Sequence, residues 1–343
     1  MKEYGSDFHY VSQSGSCAGD SIGAFFPSAN YYADGRQALI ALVGAHGWKR
    51  VWVPSFFCYD VLSSWKAFGV SIIFYEDSPC SDDVASISTL PFQEGDVLLR
   101  VNYYGLRSFR SNRDIPVPVV EDHTHSLIGD WAVGSDADWC IASLRKSLPI
   151  AEGGILWSPR GLNLPERPGR LPQNEEIAVR RWNGMRLKTD YLAGMSIEKS
   201  FFRKEFLETE PYFDVAPVSA IDSQTEDYLS SFCVRAWYHQ KRINWLALQG
   251  IFSNRFQILK PENLECFPFS LSIVCDSADN RELLRQHLIE NSIYPAVLWN
   301  IPSGASVSEF TRVLSSRVLS IHCDGRYSVD EVEKMKEIIE SVL

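Results

Sequence analysis

Lys146 is a candidate for amine chemistry because of its position between two apolar runs. The stretch from Trp139 to Trp157 reads W-C-I-A-S-L-R-K-S-L-P-I-A-E-G-G-I-L-W, so the lysine lies in a polar turn between two runs of strand length. A lysine held near an apolar interior loses hydration, which disfavours the ammonium form and leaves a nucleophile for a carbonyl. The alternative for this stretch is a surface loop whose basic side chains point into water.

Asp122 is the second candidate, because it ends the apolar run V-P-V-V-E-D. A carboxylate at that position is costly unless a cationic partner balances it. Lys146 follows the next apolar run, so both side chains could open onto the same edge of a sheet. The two residues could form a structural ion pair. They could instead hold pyridoxal phosphate, with the lysine as Schiff base and the aspartate on the pyridinium proton.

An anion site is predicted at Gly35 and Arg36. Asp34-Gly35 opens a helix with apolar residues at helical spacing, and Gly47 closes it. The first turn of a helix has backbone N–H groups without intrahelical acceptors, and these can bind a phosphate. An ordinary helix start is the alternative.

The elements that must position these residues form an alternating pattern of strands and helices. Apolar runs of strand type occur at 51–54, 70–76, 96–104 and 117–120, with helical patterns between several of them. This alternation predicts an α/β fold with a mostly parallel central sheet covered by helices. Ligands of such sheets bind beyond the carboxyl ends of the strands, which is where the candidate residues occur.

Four parts are predicted along the chain. They are an irregular arm at 1–30, a large cofactor-binding domain at 31–220, a bridging segment at 221–260, and a small α/β domain at 261–343. The bridging segment is predicted to be one amphipathic helix from Ile221 to Phe252. Residues 160–215 show no stable period and are predicted to leave the sheet. Ser328 and Glu331 predict a capping box at the start of the last helix.

The charge balance argues against several classes of partner. The 343 residues include 33 basic and 43 acidic side chains, a net charge of −10, without a basic cluster. This balance argues against nucleic acids and anionic membranes as partners. The N-terminus has no long apolar segment, and no run approaches the length of a membrane span. A cytoplasmic protein is therefore predicted.

The cysteines and histidines do not form a recognisable metal pattern. The eight cysteines are scattered, never occur as C-x-x-C, and several lie inside apolar runs, which predicts small buried residues in a reducing compartment. His123 and His125 are close in sequence, but no cysteine or glutamate completes a zinc pattern around them. No metal site is predicted, and His123 is interpreted as structural.

Several segments, taken in order, carry a family resemblance. G-R-Q-A-L, V-P-S-F-F-C, V-N-Y-Y-G, V-V-E-D-H-T-H, and S-L-R-K followed by A-E-G-G resemble the fold-type-I pyridoxal-phosphate enzymes. They resemble in particular the DegT/StrS-type sugar aminotransferases, through an Asp-x-x-His strand end at Asp122 and a Glu-Gly-Gly after Lys146. The later segments I-Y-P-A-V-L-W and C-D-G-R-Y-S are similar to the small domain of that family. The resemblance extends from Gly35 to Tyr327.

The resemblance implies a role for each matching residue. Lys146 would form the Schiff base with pyridoxal 5'-phosphate and carry the proton during amino transfer. Asp122 would bind the pyridine nitrogen, and His125 would lie near the phenolic oxygen. The cofactor-binding residues implied in this way are Gly35, Arg36, Phe57, Tyr59, Asn102, Asp122, His125, Ser143, Arg145 and Lys146.

Two parts of the implied cofactor site differ from the family pattern. Phe57 and Tyr59 are alternative residues for stacking on the cofactor ring, because Cys58 stands between them. Ser143, which would add a hydroxyl to the phosphate site, is closer to the lysine than the serine of the family. Arg145 could add a direct charge. The phosphate pocket is therefore expected to be built differently.

The function implied by the resemblance is amino transfer. An amino acid donor such as glutamate would supply the amino group, and the acceptor would be a nucleotide-linked keto-deoxysugar used for surface polysaccharide or a glycosylated metabolite. The resemblance also implies a homodimer. A pyridoxal-phosphate lyase or dehydratase on a related substrate is an alternative. A catalytically degenerate dimer that keeps the fold for binding or regulation is another.

Overall fold

The protein is described by a computed structural model that covers residues 3–13, 17–66, 69–81, 83–251 and 253–341. The strands, numbered in chain order, are β1 Tyr4–Gly5, β2 Asn30–Tyr32, β3 Arg50–Pro54, β4 Ser71–Tyr75, β5 Asp96–Val101, β6 Val119–Asp122, β7 Trp139–Ser143, β8 Gly154–Trp157, β9 Phe256–Ile258, β10 Leu271–Cys275, β11 Ile293–Tyr294 and β12 Val318–Ile321. The helices are α1 Ile22–Phe25, α2 Gly35–His46, α3 Tyr59–Lys66, α4 Asp83–Ile87, α5 Asp130–Gly134, α6 Leu144–Ser147, α7 Pro172–Leu192, α8 Lys199–Thr209, α9 Tyr212–Val215, α10 Ser223–Ser231, α11 Val234–Leu248, α12 Ala278–Glu290, α13 Glu309–Arg317 and α14 Val329–Glu340.

The large sheet has seven strands in the order β2-β8-β7-β6-β5-β3-β4. Strands β3 to β7 are parallel to one another, whereas β8 is antiparallel to both of its neighbours. The predicted α/β class with a mostly parallel sheet is confirmed. The two apolar runs around Lys146 are β7 and β8, and the turn after β7 is the single helical turn α6.

The sheet separates two apolar cores. Side chains alternate across the strands, so Val119 of β6 belongs to the core beneath α7 and α10, and Val120 belongs to the core beneath α2 and α3. The carboxyl end of the parallel strands is the edge at which chemistry was expected.

Three residues set the limits of helix α2 and its place at this edge. The side chain of Asp34 accepts the N–H of Gln37 as an N-cap, and Gly47 ends the helix in the left-handed conformation, with φ 62°. A Cβ on Gly154 would lie 2.2 Å from the carbonyl oxygen of Asp34, so only glycine lets β8 approach the helix start.

The small antiparallel sheet has the order β12-β10-β9, and its core includes residues of α11, α12 and α14. The predicted capping box is present, because Ser328 and Glu331 exchange hydrogen bonds at the start of α14. The N-terminal arm packs partly on this region, since β1 pairs in parallel with β11.

One prediction about the middle of the chain was wrong, and another was incomplete. The segment 160–215 contributes no strand to the sheet, in agreement with its prediction, but it contains the long helices α7 and α8. The predicted single bridging helix is wrong, because the segment forms two helices, α10 and α11. Buried polar residues such as Arg181 and Lys188 hide the helical period of α7, and Phe232 turns into the core in an extended conformation between α10 and α11. Phe252, the predicted end of the bridging helix, lies outside the described residues. Strand β9 falls within the predicted bridging segment.

The cysteines are only partly as predicted. Cys17 and Cys233 form a disulfide with a Cα–Cα distance of 5.2 Å, which joins the arm to the start of α11. The expectation that all cysteines are reduced is therefore wrong for this pair. Among the other cysteines, Cys140, Cys266, Cys275 and Cys323 are buried. In the described ranges, no helix combines the length and apolarity needed to cross a membrane.

Candidate active site

A cavity of about 300 Å³ opens at the carboxyl ends of β5, β6 and β7. It brings together eight of the ten residues predicted to bind the cofactor, namely Gly35, Arg36, Phe57, Asp122, His125, Ser143, Arg145 and Lys146. The parallel strands place Asp122 and Ser143 at this edge, and the α6 turn carries the two basic residues. The roles of these residues remain predictions.

Tyr59 and Asn102 are not among the residues that line this cavity. The ring of Tyr59 stacks instead on Phe74, with ring centroids 5.6 Å apart. Asn102 is buried, and its backbone N–H donates to the carbonyl of Asp122 at 3.0 Å. Of the two aromatic alternatives, the structure brings Phe57 into the cavity.

In the described part of the chain, Asp122 carries a carboxylate without a cationic partner. It is half-buried, its Oδ1 accepts the N–H of Thr124 at 2.8 Å, and no cation of the described chain lies within ion-pair distance. Burial raises the pKa of this carboxyl. The structural ion pair with Lys146, one of the two alternatives for these residues, is absent from the described structure, which leaves the carboxylate available to a ligand.

Lys146 has a lowered pKa, but the leading cause differs from the one expected. The adjacent guanidinium of Arg145 is the main effect and burial the second, and together they lower the pKa of the lysine to about 8. Its side chain is 49% exposed and lies 3.9 Å from Glu210. Repulsion between two cations, more than an apolar wall, therefore favours the free amine.

Glu210 is a site residue that sequence reasoning missed. Its carboxylate accepts two hydrogen bonds from Arg145, at 3.0 and 2.8 Å, and one from Arg181 at 3.1 Å. Burial opposes its charge, but Arg145, Lys146 and Arg181 outweigh that effect and hold its pKa well below the usual range. It follows the end of α8, in the segment that showed no period, so no local signal pointed to it.

His125 is held as a neutral imidazole. Its ring is stacked between Tyr104 and Trp299, each with centroids 5.4 Å away and planes 17° apart. Burial lowers its pKa to about 3, with Lys241 and Lys146 adding to the effect. Nδ1 accepts the N–H of Tyr104 at 3.1 Å, so the remaining proton belongs on Nε2.

The start of α2 offers an anion cradle to the cavity. Within the described residues, the backbone N–H groups of Gly35 and Arg36 have no acceptor. A Cβ on Gly35 would lie 2.9 Å from the Cβ of Ser143, so the glycine allows the helix to approach the end of β7. The guanidinium of Arg36 is bound by Asp34 and Asp214. The backbone N–H groups of Gly35 and Arg36, rather than the guanidinium, are therefore the groups that remain available to bind an anion.

The small-domain side contributes two aromatic rings that sequence reasoning did not single out. Trp299 contacts His125 and lies 5.9 Å from Phe57, and Phe269 lies 4.5 Å from His125, measured between ring centroids. Both rings line the cavity. Their positions depend on how the small sheet meets the large one, which no local motif encodes.

One group in the described residues has the composition of a metal site. Glu121, His123 and Cys140 place one potential ligand atom each within 4.8 Å of one another. The expectation that no glutamate or cysteine lies with His123 is wrong, because Glu121 precedes it by two residues and strand pairing places Cys140 opposite Glu121. Glu121 already accepts hydrogen bonds from Asn112, Trp131, Ser135 and His123. We therefore interpret the group as a buried hydrogen-bond cluster.

No family model matches the chain, and no curated protein matches it. Solved structures do match over nearly the full length. The aminotransferase TlmJ from Streptoalloteichus hindustanus is 12% identical, with a TM-score of 0.66, over 99% of this chain and 98% of that one. A DegT DnrJ EryC1 StrS aminotransferase from Brucella abortus is 15% identical, with a TM-score of 0.58, over 94% of this chain and 88% of that one.

A third similar structure is DesI, solved in the presence of its TDP-sugar product. It is 13% identical, with a TM-score of 0.64, over 93% of this chain and 82% of that one. At these identities the similarity establishes the fold. The chain therefore has the fold of the type-I pyridoxal-phosphate aminotransferases.

Proposed function

We propose that the protein is a pyridoxal-phosphate-dependent aminotransferase that acts on a sugar. One observation carries the proposal. A single cavity at the carboxyl ends of the strands contains a lysine with a lowered pKa, together with a carboxylate that has no cation and a helix start whose amides have no acceptor among the described residues. These are the three groups that pyridoxal phosphate requires.

The residues fit the cofactor on structural grounds. The orphan carboxylate of Asp122 would accept the pyridinium N–H, and the amides of Gly35 and Arg36 with the hydroxyl of Ser143 would hold the phosphate. Phe57 and Trp299 supply aromatic walls to the same cavity. The bound cofactor supplies an electron sink that stabilises negative charge at the substrate carbon.

The protein's own groups would then position and move protons. Lys146 would attach the cofactor through its amine and afterwards carry a proton to and from the substrate carbon, which a pKa of about 8 permits near neutral pH. His125, neutral and held by its Nδ1, would present the Nε2 proton to the cofactor oxygen. The stacked rings of Tyr104 and Trp299 hold that imidazole in place.

The acceptor is proposed from the likeness to a solved sugar aminotransferase and the donor from the family resemblance, and neither rests on a contact in this chain. We propose an amino acid, glutamate in the first instance, as donor, and a nucleotide-linked keto-sugar as acceptor. DesI, which has the same fold, was solved with a TDP-sugar product. A homodimer is part of the same proposal.

A visible absorption spectrum after incubation with pyridoxal phosphate tests the proposal. We expect a band from lysine-bound cofactor, lost in Lys146→Ala and retained in Lys204→Ala, which changes an exposed lysine on α8. Borohydride reduction and peptide mass mapping should place the cofactor on Lys146. A colourless protein would refute the proposal. Addition of glutamate should then convert the band, and elimination products without conversion would indicate a lyase instead.

A further inference from the structure

A second cavity of about 300 Å³ lies next to the first, and Lys146 lines both. Arg145, Phe269 and Leu298 are also shared between the two. The second cavity continues past the lysine toward α7, where Arg181 forms part of its wall. A ligand that reacts at Lys146 can therefore extend into this second space.

Three cations meet where the two cavities adjoin. Arg145, Lys146 and Arg181 surround the carboxylate of Glu210, and Asp7 is the acidic residue that lines the second cavity in the described chain. The two arginine side chains are only 7% and 5% exposed, so this charge is buried. Buried guanidinium groups are costly without an anion beside them, so this position requires a carboxylate or a similar anion as its occupant.

Both guanidinium groups retain unused donors. Among the residues that the structure describes, the Nε of Arg145 is buried without a partner, and its two Nη atoms bond only to Glu210. The Nε of Arg181 donates to the carbonyl of Ala151 at 2.7 Å, and its Nη1 donates to Thr209 and Glu210. In the described residues, Nη2 of Arg181 makes no hydrogen bond. These unused donors point to a ligand with acceptor oxygens.

We propose that Arg145 and Arg181 form the subsite that binds the carboxylate of the amino donor, and that Glu210 occupies this subsite when no donor is bound. The inference rests on the proposed function, because it names how the same site recognises one of its substrates. The carboxylate of Glu210 marks the position and geometry that the carboxylate of the donor would take.

The geometry favours a carboxylate over a larger anion. Arg145 binds Glu210 through two parallel N–H groups, the arrangement in which a planar guanidinium matches a planar carboxylate. Glu210 Oε1 is 3.9 Å from the Lys146 amine. A carboxylate at the same place would bring the neighbouring amino group of an α-amino acid beside the amine that the proposed reaction uses.

Part of the wall of the second cavity suits the carbon chain of an amino acid. Ile150, Met185 and Phe206 line it with apolar surface, whereas Asp7 and His322 give another part of the wall a polar character. The side chain of Glu210 is 44% exposed, so it can turn away from the arginines toward solvent when the donor enters. Exchange of one carboxylate for another preserves the charge balance at the arginines.

Calorimetric titration with glutarate tests this subsite without any reaction. Glutarate has two carboxylates and no amino group, so it binds but cannot transfer nitrogen. Glu210→Ala should bind glutarate roughly tenfold more tightly than the unchanged protein, because the internal competitor is gone. Arg181→Gln added to Glu210→Ala should reverse that gain. Glu208→Ala is the matched control, since Glu208 forms an ion pair with Arg180 on the same two helices.

Three outcomes would overturn the subsite. They are equal glutarate affinity with and without Glu210, no glutarate binding by either protein, and phosphate binding as tight as glutarate with the same dependence on Arg181. Arg181→Lys keeps the positive charge and serves as a second variant in case Arg181→Gln does not fold. It should raise the KM for the donor without changing the cofactor absorption. Glutarate binding by a protein that stays colourless with pyridoxal phosphate would refute the proposed function and retain the subsite.

Discussion

The two faces of strand β6 carry neighbouring carboxylates in opposite states. Glu121 is fully buried and accepts hydrogen bonds from five neighbouring side chains, and its polar neighbours outweigh the effect of burial and lower its pKa. Asp122, one residue later, faces the cavity with one backbone N–H bond from Thr124, and burial raises its pKa.

This difference separates a structural carboxylate from one available for chemistry. The environment of Glu121 is already complete, so a ligand there would have to break existing bonds. Asp122 has an incomplete environment, and a cationic or N–H-bearing ligand would complete it. Adjacent residues of a strand point to opposite faces of the sheet. The short strand β6 can therefore carry a structural carboxylate on one face and a carboxylate available to a ligand on the other.

The largest effect on stability should come from removing the carboxylate of Glu121. We expect Glu121→Ala to reduce the free energy of unfolding by about 3–5 kcal/mol, because it leaves buried donors of Asn112, Trp131 and His123 without an acceptor. Urea denaturation followed by circular dichroism measures this. Asp122→Ala should change stability by less than about 1 kcal/mol, since few bonds are lost. Equal losses at the two positions would contradict the comparison.

Asp122→Asn should affect activity far more than stability. An amide cannot hold the pyridinium proton as a carboxylate does, so we expect a decrease of roughly a hundredfold in the rate of the glutamate half-reaction, which corresponds to about 2.7 kcal/mol. Stopped-flow absorbance measures that rate. Asp60→Asn, at another carboxylate of the same cavity, is the control and should remain within about threefold. A similar decrease in both variants would mean that overall cavity charge, not the position of Asp122, decides the rate.

The lowered pKa of Lys146 should depend on Arg145. We expect Arg145→Gln to raise that pKa, because it removes the leading cause of the shift from 10.5 to about 8. The pH dependence of the rate of cofactor attachment should show the half-maximum moving upward from about pH 8. No movement would mean that burial alone sets the pKa.

The lowered pKa of Lys146 makes the stability of the protein depend on pH. Between about pH 8 and 10.5 the unfolded chain binds more protons at Lys146 than the folded one, so the free energy of unfolding rises with pH in that window. Lys188 and Lys241, with pKa values also lowered to about 8, act in the same direction. Arg145→Gln should therefore flatten the rise only in part when urea denaturation is repeated at pH 7.5 and 10.

The smallest effect is expected at the start of α2. Gly35→Ala should lower stability by about 1 kcal/mol and weaken cofactor binding, because the new Cβ would meet Ser143. Gly44→Ala in the same helix meets nothing within 4 Å and should raise stability by about 0.5–1 kcal/mol. Thermal melting with and without pyridoxal phosphate measures both. Similar behaviour of the two variants would show that the close approach at Gly35 is not required.

Local patterns were sufficient for much of the fold and part of the site. Apolar strands that end in polar residues predicted that Asp122 and Lys146 share one edge, because carboxyl ends of parallel strands meet there. The ends of two helices could be predicted from local sequence, because each end depends on residues within one or two turns. They are the start of α2 at Asp34, its end at Gly47, and the capping box of Ser328 at the start of α14. Helix α7 was missed because its buried side chains include charged ones.

The sequence by itself determined which residues lie at the strand ends, and with them the lysine and carboxylate of the proposed chemistry. Only the tertiary structure decided what surrounds them. Glu210 and Trp299 reach the cavity from segments far along the chain, and Cys140 joins Glu121 through strand pairing. The physical reason is that pKa values and unused donors depend on neighbours in space. Such neighbours are set by packing between elements, whereas helix caps and strand alternation are set by neighbours in sequence.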